Sequence, residues 1–362
     1  MIDSVMETLT GVFLLLTVVP LSRHEAWWVR VLDFPRLQLF AVLAVMLAGQ
    51  LYFLDPARLD TRISLAINVA CLLYHLWWIF PYTRLSPVEV ELSTSTNPAK
   101  RIRILISNVL TTNRRADAFL ALVEEHKPDL VIALETDAWW QSQLEPLEAR
   151  YPYSLKCPLE NLYGMHLYSK LPLENSAIQF LVEPDVPSMH TEVILRSGDR
   201  VRMHCLHPAP PVPHHTGESG ERDAELLIVG KSVAESDSPI IVTGDLNDVA
   251  WSETTRLFRK ISGLLDPRVG RKMLNTFHAG IWFFRWPLDH VFHSKHFKLG
   301  ILRRLPKFGS DHFPVLVELV YEGESAGEQQ QGLAADAEDH AVAEEKIEAQ
   351  AVSEEDVHVP DK

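Results

Sequence analysis

The chain has little cysteine, no basic charge near its start and few large apolar side chains near its end. Its 362 residues include only Cys71, Cys157 and Cys205. Three thiols at unrelated spacings form neither a disulfide framework nor a zinc-ligand pattern. They read as buried free thiols. The body also lacks the basic stripe that tracks a nucleic-acid backbone. Formal net charge is −14, but Glu322–Lys362 holds thirteen acidic residues against two lysines, a net of −11, which leaves −3 for residues 1–321. A near-neutral body neither requires nor excludes an anionic substrate. No Lys or Arg precedes Arg23, and Asp3 and Glu7 stand where a secretory leader would be basic. No small-residue cleavage site follows, so the first apolar stretch does not read as a signal peptide. Residues 322–362 are rich in Ala, Glu and Gln. They carry too little apolar surface to offset the entropy of ordering, so an acidic, disordered tail is expected. The only protein partner this implies is one that contacts the acidic tail.

Three long apolar stretches are present, Val5–Leu21, Leu37–Leu54 and Ile63–Tyr82. Each is long enough to cross a hydrocarbon core of about 30 Å. Trp27, Trp28, Trp77, Trp78 and Tyr82 sit at or near their ends, as interfacial aromatics do. Residues 1–85 therefore read as a three-span membrane anchor. Arg23, Arg30, Arg36 and Arg84 fall on the side of the following domain and Arg58 and Arg62 on the other. That bias mildly favours a cytoplasmic domain. Residues 86–100 read as an extended linker containing Ser86-Pro87 and Asn97-Pro98.

From residue 101 to 321 the pattern changes. Arg101–Val109 alternates basic and apolar residues, which predicts a strand, and Asp129–Leu134 is a continuous apolar strand. Helical spacing over Asn113–Glu125, Asp137–Ala149, Asp223–Ala234 and Ser252–Ile261 is interspersed with further strands. This is one α/β or α+β domain.

Polar residues end or interrupt several of these strands: Asn108, Glu135, His207, Asp245 with Asn247, Asp289, and Asp311 with His312. One such residue is ordinary, and Gly244-Asp245-Leu246-Asn247 taken alone is also good turn chemistry. Several in one domain imply a shared rim where strand ends converge on a ligand. His290, His214 and His215 read as structural or solvent-facing, and His166 and His204 carry no assigned role. Ile281-Trp282-Phe283-Phe284-Arg285-Trp286 is unusually aromatic. Its rings either border a cleft, where they stack on a base or touch lipid while Arg285 meets phosphate, or pack in the core.

The runs Ile106-Ser107-Asn108-Val109-Leu110, Ala133-Leu134-Glu135, Leu206-His207-Pro208, Gly244-Asp245-Leu246-Asn247, Leu288-Asp289-His290 and Ser310-Asp311-His312-Phe313-Pro314 occur in this order. Together they resemble the endonuclease/exonuclease/phosphatase superfamily over residues 101–321. Leu134 stands where Gln is common in that family, and Leu246 where Phe is common. The arrangement of spans, linker and domain also resembles bacterial membrane members of the superfamily, which implies an integral protein of the inner membrane. The resemblance implies a four-layer α/β sandwich, two packed β-sheets flanked by helices, preceded by the three transmembrane helices. It implies a phosphoesterase, most simply a nuclease-like phosphodiesterase. A phospholipid or inositol-phosphate head-group hydrolase is the alternative, and a catalytically silent scaffold a second one. A silent scaffold would have no chemical need for this set of polar residues.

The chemistry explains the residue types. A divalent cation offsets phosphate charge. Mg²⁺, or Mn²⁺ in its place, takes hard oxygen ligands. By resemblance Glu135 is the principal ligand, with Asn108 and Asp311 close by. Water needs orientation and a proton acceptor, a role that His312 or Asp245 fits, with Asp289 or Asp311 orienting the histidine. The resemblance also implies that Asp245 and Asn247 position nucleophile and phosphate and that His207 meets phosphate or the leaving oxygen. The expected partners are a phosphate-ester substrate, either nucleic acid or lipid head group, and a membrane.

Overall fold

A computed structural model describes residues 2–213, 217–234, 236–323 and 331–360. It divides into two units, Met1–Pro87 with Pro211–Ser219, and Val88–Pro210 with Gly220–Lys362. The Pro-rich loop that includes His214 and His215 lies partly outside the described residues, those two histidines among them.

The first unit is helical. It comprises α1 (Ile2–Val18), the short α2 (Trp27–Arg30), α3 (Arg36–Phe53) and α4 (Leu59–Ile79). Three helical segments, Ile2–Ser22, Arg36–Phe53 and Leu59–Tyr82, are long and apolar enough to cross a membrane. Their polar residues turn inward. Gln50 Nε2 donates to Thr10 Oγ1 and to Ser64 Oγ, both at 2.9 Å, and Asn68 Nδ2 donates to Gln50 Oε1 at 2.8 Å. Small and polar side chains that bond across helices are the usual means of pairing where apolar packing alone gives little preference.

The second unit holds two sheets. The first contains β1 (Arg101–Asn108), β2 (Leu130–Leu134), β3 (Tyr153–Cys157), β4 (Met165–Ser169), β10 (Phe297–Arg304) and β11 (Val315–Tyr321), in the order β10-β11-β1-β2-β4-β3. The second runs β5 (Leu173–Gln179), β6 (Ser188–Ile194), β7 (Arg200–Leu206), β8 (Ile240–Asp245) and β9 (Asp289–His293) in sequence order. Each sheet has a parallel pair at its centre, β1 with β2 and β7 with β8, and its other pairings are antiparallel.

The period-2 alternation sets the layers. Ile102, Ile104 and Ile106 point into a core shared with Met203, Cys205 and Ile241 of the other sheet. Leu105 faces the opposite way, toward α5 (Ala116–His126) and α6 (Ala138–Leu144), with Phe119 and Trp140. On the outer face of the second sheet, Val242 and Phe292 meet α7 (Gly220–Ala234) and α8 (Glu253–Ser262). The result is the expected α/β/β/α sandwich, with the inter-sheet core in the middle.

Three expectations need correction. Part of the tail is ordered: α9 (Ala337–Ala349) seats Ala343 and Ile347 on the α7–α8 layer, joined by Val357. Asp336 caps this helix in a reciprocal box with Asp339. Its charged residues also pair with the layer below: Asp339 with Lys260 at 2.6 Å, Glu344 with Lys231 at 2.7 Å, and Lys346 with the fully buried Asp223 of α7 at 3.0 Å. Burial alone would raise the Asp223 carboxyl, but the Arg222 and Lys346 cations hold it down at about 2. Second, the linker is partly docked. Val90 is fully buried in the inter-sheet core, and Leu299 N donates to Glu91 O at 2.8 Å. Third, the rings of Ile281–Trp286 do not pack in the core: residues 281–284 form the exposed tip of a turn, and Trp286 bridges to Phe277 at its base.

Candidate active site

Both parallel pairs end at the same edge of the sandwich. Asn108 closes β1, and Glu135 follows β2 at φ +58°. Asp245 closes β8, and His207 follows β7. The antiparallel neighbours begin there: Asp289 opens β9 directly opposite Asp245 in the register, and Asp311 and His312 precede β11. The expected strand-end residues therefore come together from six separate segments. Gly244 makes this approach feasible. At φ +148°, a Cβ there would lie 1.8 Å from the Leu206 carbonyl oxygen, so only glycine fits.

Asp245 Oδ2 is the hub. Asn108 Nδ2 donates to it at 3.1 Å and to Glu135 Oε1 at 2.7 Å. His312 Nε2 lies 3.4 Å from the same oxygen and His207 Nε2 3.9 Å. On its other side, His312 Nδ1 is 2.9 Å from Asp289 Oδ2. Asp245 Oδ1 accepts from the Asn247 backbone N–H at 3.0 Å. Asn247 sits at φ +50° and its Nδ2 donates to Pro208 O at 3.0 Å, which ties the His207 loop to the β8 turn. Asp289 is held in turn by Thr276, whose Oγ1 accepts its backbone N–H at 3.2 Å.

The electrostatics follow from burial. Desolvation, reinforced by Asp245 and Asp311, pushes the Glu135 carboxyl up to about 7, against the hydrogen bond from Asn108. Burial likewise raises Asp245 and lowers His207. Burial would also lower His312, but Asp245 and Asp289 on either side carry it up to about 10. Glu135 Oε2 and Asp289 Oδ1 are buried oxygens without a hydrogen-bond partner. Orphaned buried carboxylate oxygens at this edge fit an oxygen-preferring divalent cation, which would hold them in the charged form. Among the described residues, Asp245, Asp289 and His312 also have ligand atoms within 4.8 Å of one another. We read these three as a line in which His312 hydrogen-bonds Asp289 through Nδ1 and pairs with Asp245 through Nε2.

The structure places Asn108 as a bridging donor between Glu135 and Asp245, with its side-chain Oδ1 accepting from Leu110 N at 3.0 Å. Arg285 stacks on the residue after His312, its guanidinium 5.1 Å from the Phe313 ring centroid. His290 is bound away from the hub, to Asp248 O and Arg268. His166 is buried against Thr136 at 2.6 Å, and His204 against His190 and Arg202. Sequence reasoning missed Tyr163, whose ring centroid is 5.7 Å from that of His207, and also Thr276. It missed the cleft beside Asp311 too, about 560 Å³, lined by Leu110, Arg115, His278, Gly280 and Lys307. An exposed Arg or Lys carries no periodicity, so only the fold could have assigned these residues to the site.

Comparison with known proteins agrees with this geometry. The family model described as the Endonuclease/Exonuclease/phosphatase family matches residues 105–312. Among solved structures, an endonuclease/exonuclease/phosphatase from Beutenbergia cavernae superposes with a TM-score of 0.51 at 16% identity, covering 62% of this chain and 72% of that one. A D. rerio TDP2 humanized by 14 mutations superposes at 0.52 and 16% identity, covering 61% and 99%. The human Nocturnin catalytic domain with bound sulfate gives 0.50 at 18%, covering 61% and 95%. A search of curated proteins finds no match by sequence. The family match covers more than half of the chain and contains the hub residues from Asn108 to His312. The chain therefore belongs to the endonuclease/exonuclease/phosphatase family and is a phosphoesterase hydrolase.

Proposed function

We propose that the chain is a membrane-anchored, divalent-metal-dependent phosphodiesterase that hydrolyses its ester by in-line attack of water. The observation that supports this best is the line Asp289–His312–Asp245, joined through Asn108 to Glu135. Glu135 and Asp311 would hold Mg²⁺ or Mn²⁺, with Asn108 keeping Glu135 in place. When bound, the ion offsets charge on the phosphate oxygens. Asp289 accepts the Nδ1 proton of His312 and so turns Nε2 toward the reacting centre. Nε2 of His312 and Oδ2 of Asp245 face each other at 3.4 Å, and the proton released by the attacking water is taken by this pair. Asn247 fixes the Asp245 turn, and His207, lowered by burial, meets the phosphate or the leaving oxygen as a neutral donor. The three membrane-length helices support anchoring, in the inner membrane if the chain is bacterial. The nuclease-like reading agrees with a TDP2 solved in complex with a single-strand DNA product. A head-group hydrolase is the second reading, favoured by the exposed aromatic tip.

The test is hydrolysis by the full chain in detergent micelles. A generic bis-aryl phosphate, single-stranded DNA and phosphoinositide vesicles are each offered with Mg²⁺, Mn²⁺ or chelator. Chelation, Glu135→Gln and His312→Ala should each lower kcat by about 10³-fold or more. Turnover that survives all three would sink the mechanism.

A further inference from the structure

The segment Thr276–Trp286 forms a hairpin rooted in the active site. Phe277 pairs with Trp286 as an antiparallel bridge, and His278 N donates to Phe284 O at 3.0 Å. The root is bonded to the catalytic loop: Ala279 N donates to Asp311 O at 2.6 Å, and Phe313 N to Thr276 O at 2.9 Å. The Phe277 ring lies 4.9 Å from His312. The tip points the other way. Ile281 is 37% exposed, Trp282 78%, Phe283 52% and Phe284 42%. Four consecutive apolar side chains exposed on a turn are a liability in water unless something covers them. Cationic side chains flank them. Arg285 and Arg304 both stack on Phe313, at 5.1 and 4.2 Å, and the exposed Lys307 and Arg115 line the cleft together with His278 and Gly280 of the hairpin.

We infer that this tip dips into the bilayer surface and presents the cleft to phosphate esters carried by membrane lipids. The inference rests on the anchoring proposed above and deepens the head-group reading. An aromatic and aliphatic tip with a cationic collar matches an anionic interface: Trp and Phe settle at head-group depth, and Arg and Lys meet lipid phosphates. The chain supplies the bilayer through three helices long enough to span one. A base-stacking platform is the other use of such rings. It calls for rings laid flat along a groove, whereas Trp282 stands at the outer end of a turn. Because the hairpin root is bonded to Asp311 and bridged to His312, seating the tip also braces the site.

The experiment uses the full chain reconstituted in vesicles of phosphatidylcholine with phosphatidylglycerol. Cys157, the one partly exposed thiol, is replaced by serine, and an environment-sensitive fluorophore is placed on Phe283→Cys. Glu125→Cys, on an exposed end of α5, and Leu73→Cys, on the outer side of α4, are the references. Nitroxide-bearing lipid should quench Phe283→Cys by roughly twofold or more, quench Leu73→Cys strongly and leave Glu125→Cys unchanged. Quenched Leu73→Cys with Phe283→Cys at the level of Glu125→Cys would overturn the inference while leaving the anchor intact. If neither is quenched, both are overturned. A Phe283→Cys signal that responds to single-stranded oligonucleotide and not to nitroxide lipid would assign the tip to base stacking and overturn the bilayer role. Depth is read without turnover, so failure of the hydrolase reading is separate. Where the enzyme is active, Trp282→Ser with Phe283→Ser and Phe284→Ser should lower hydrolysis of vesicle-borne phosphodiester at least about tenfold, with a soluble bis-ester changed less than about twofold.

Discussion

Asp289→Asn is the sharpest perturbation of the proposed mechanism. The Asp289 side chain is buried, and its Oδ2 meets His312 Nδ1 at 2.9 Å. Asparagine has nearly the same shape, so packing is kept and only the hydrogen-bond polarity changes. The backbone N–H of position 289 still bonds to Thr276, so the strand end stays in place. When the amide nitrogen faces His312, Nδ1 must accept rather than donate. The ring then keeps its proton on Nε2 alone and is no longer held as the imidazolium that balances Asp245 at 3.4 Å. A histidine held in the wrong tautomer and charge state beside its carboxylate loses roughly 10³–10⁴-fold in kcat. That corresponds to about 4–5.5 kcal/mol of activation free energy. Asp289→Ala also removes the acceptor but imposes no tautomer, so it should lose less than Asp289→Asn. The assay is steady-state hydrolysis of a bis-aryl phosphate by the full chain, with thermal unfolding measured in parallel to show that both variants fold. A loss of under about tenfold for Asp289→Asn, or a larger loss for alanine than for asparagine, would refute tautomer control by Asp289.

Two further outcomes test the scaffold. Ile347→Ala should cost about 2–4 kcal/mol, because the side chain is buried on the α7–α8 layer; thermal unfolding of the wild type and variant checks this, and an unchanged midpoint would mean that α9 does not brace the domain. Glu225 is fully buried, and desolvation, reinforced by Glu183, raises its carboxyl to about 8 from 4.5. The folded state binds this proton more tightly than the unfolded one. Its stabilising contribution is therefore complete below pH 4.5 and is lost as pH rises through about 8. Glu225→Gln should accordingly stabilise more at pH 8 than at pH 5, by about 3 kcal/mol, read from denaturation at the two pH values; an equal effect at both would refute the buried protonated state.

Much of the site was legible because its chemistry sits where a pattern breaks. Asn108, Glu135 and Asp245 each end a run of apolar strand residues, and that interruption is visible without coordinates. The pairing that joins them was not, because cross-strand register such as Asp245 opposite Asp289 depends on tertiary topology. The tail was misread because composition averages over position. Ala343, Ile347 and Val357 are few, yet they meet one hydrophobic layer, and the surrounding acids find Lys231 and Lys260. The edge strand Tyr153–Cys157 escaped notice because its alternation is weak and its residues are only partly covered. The Ile281–Trp286 run reads by content as core or as cleft border, and only the turn that carries it showed its first four side chains to be exposed.

The active site is divided across the seam between the two sheets. One sheet and its loops bring Asn108, Glu135 and the Asp311–His312 turn, and the other brings His207, Asp245 and Asp289. No half holds a working set. One residue of slip along a strand is about 3.3 Å, comparable with the 3.1 Å from Asn108 to Asp245 or the 3.4 Å from His312 to Asp245. Turnover is thus a vernier on the alignment of the two sheets. A partly loosened state that kept its strands but let the layers glide would fall silent well before it lost its secondary structure.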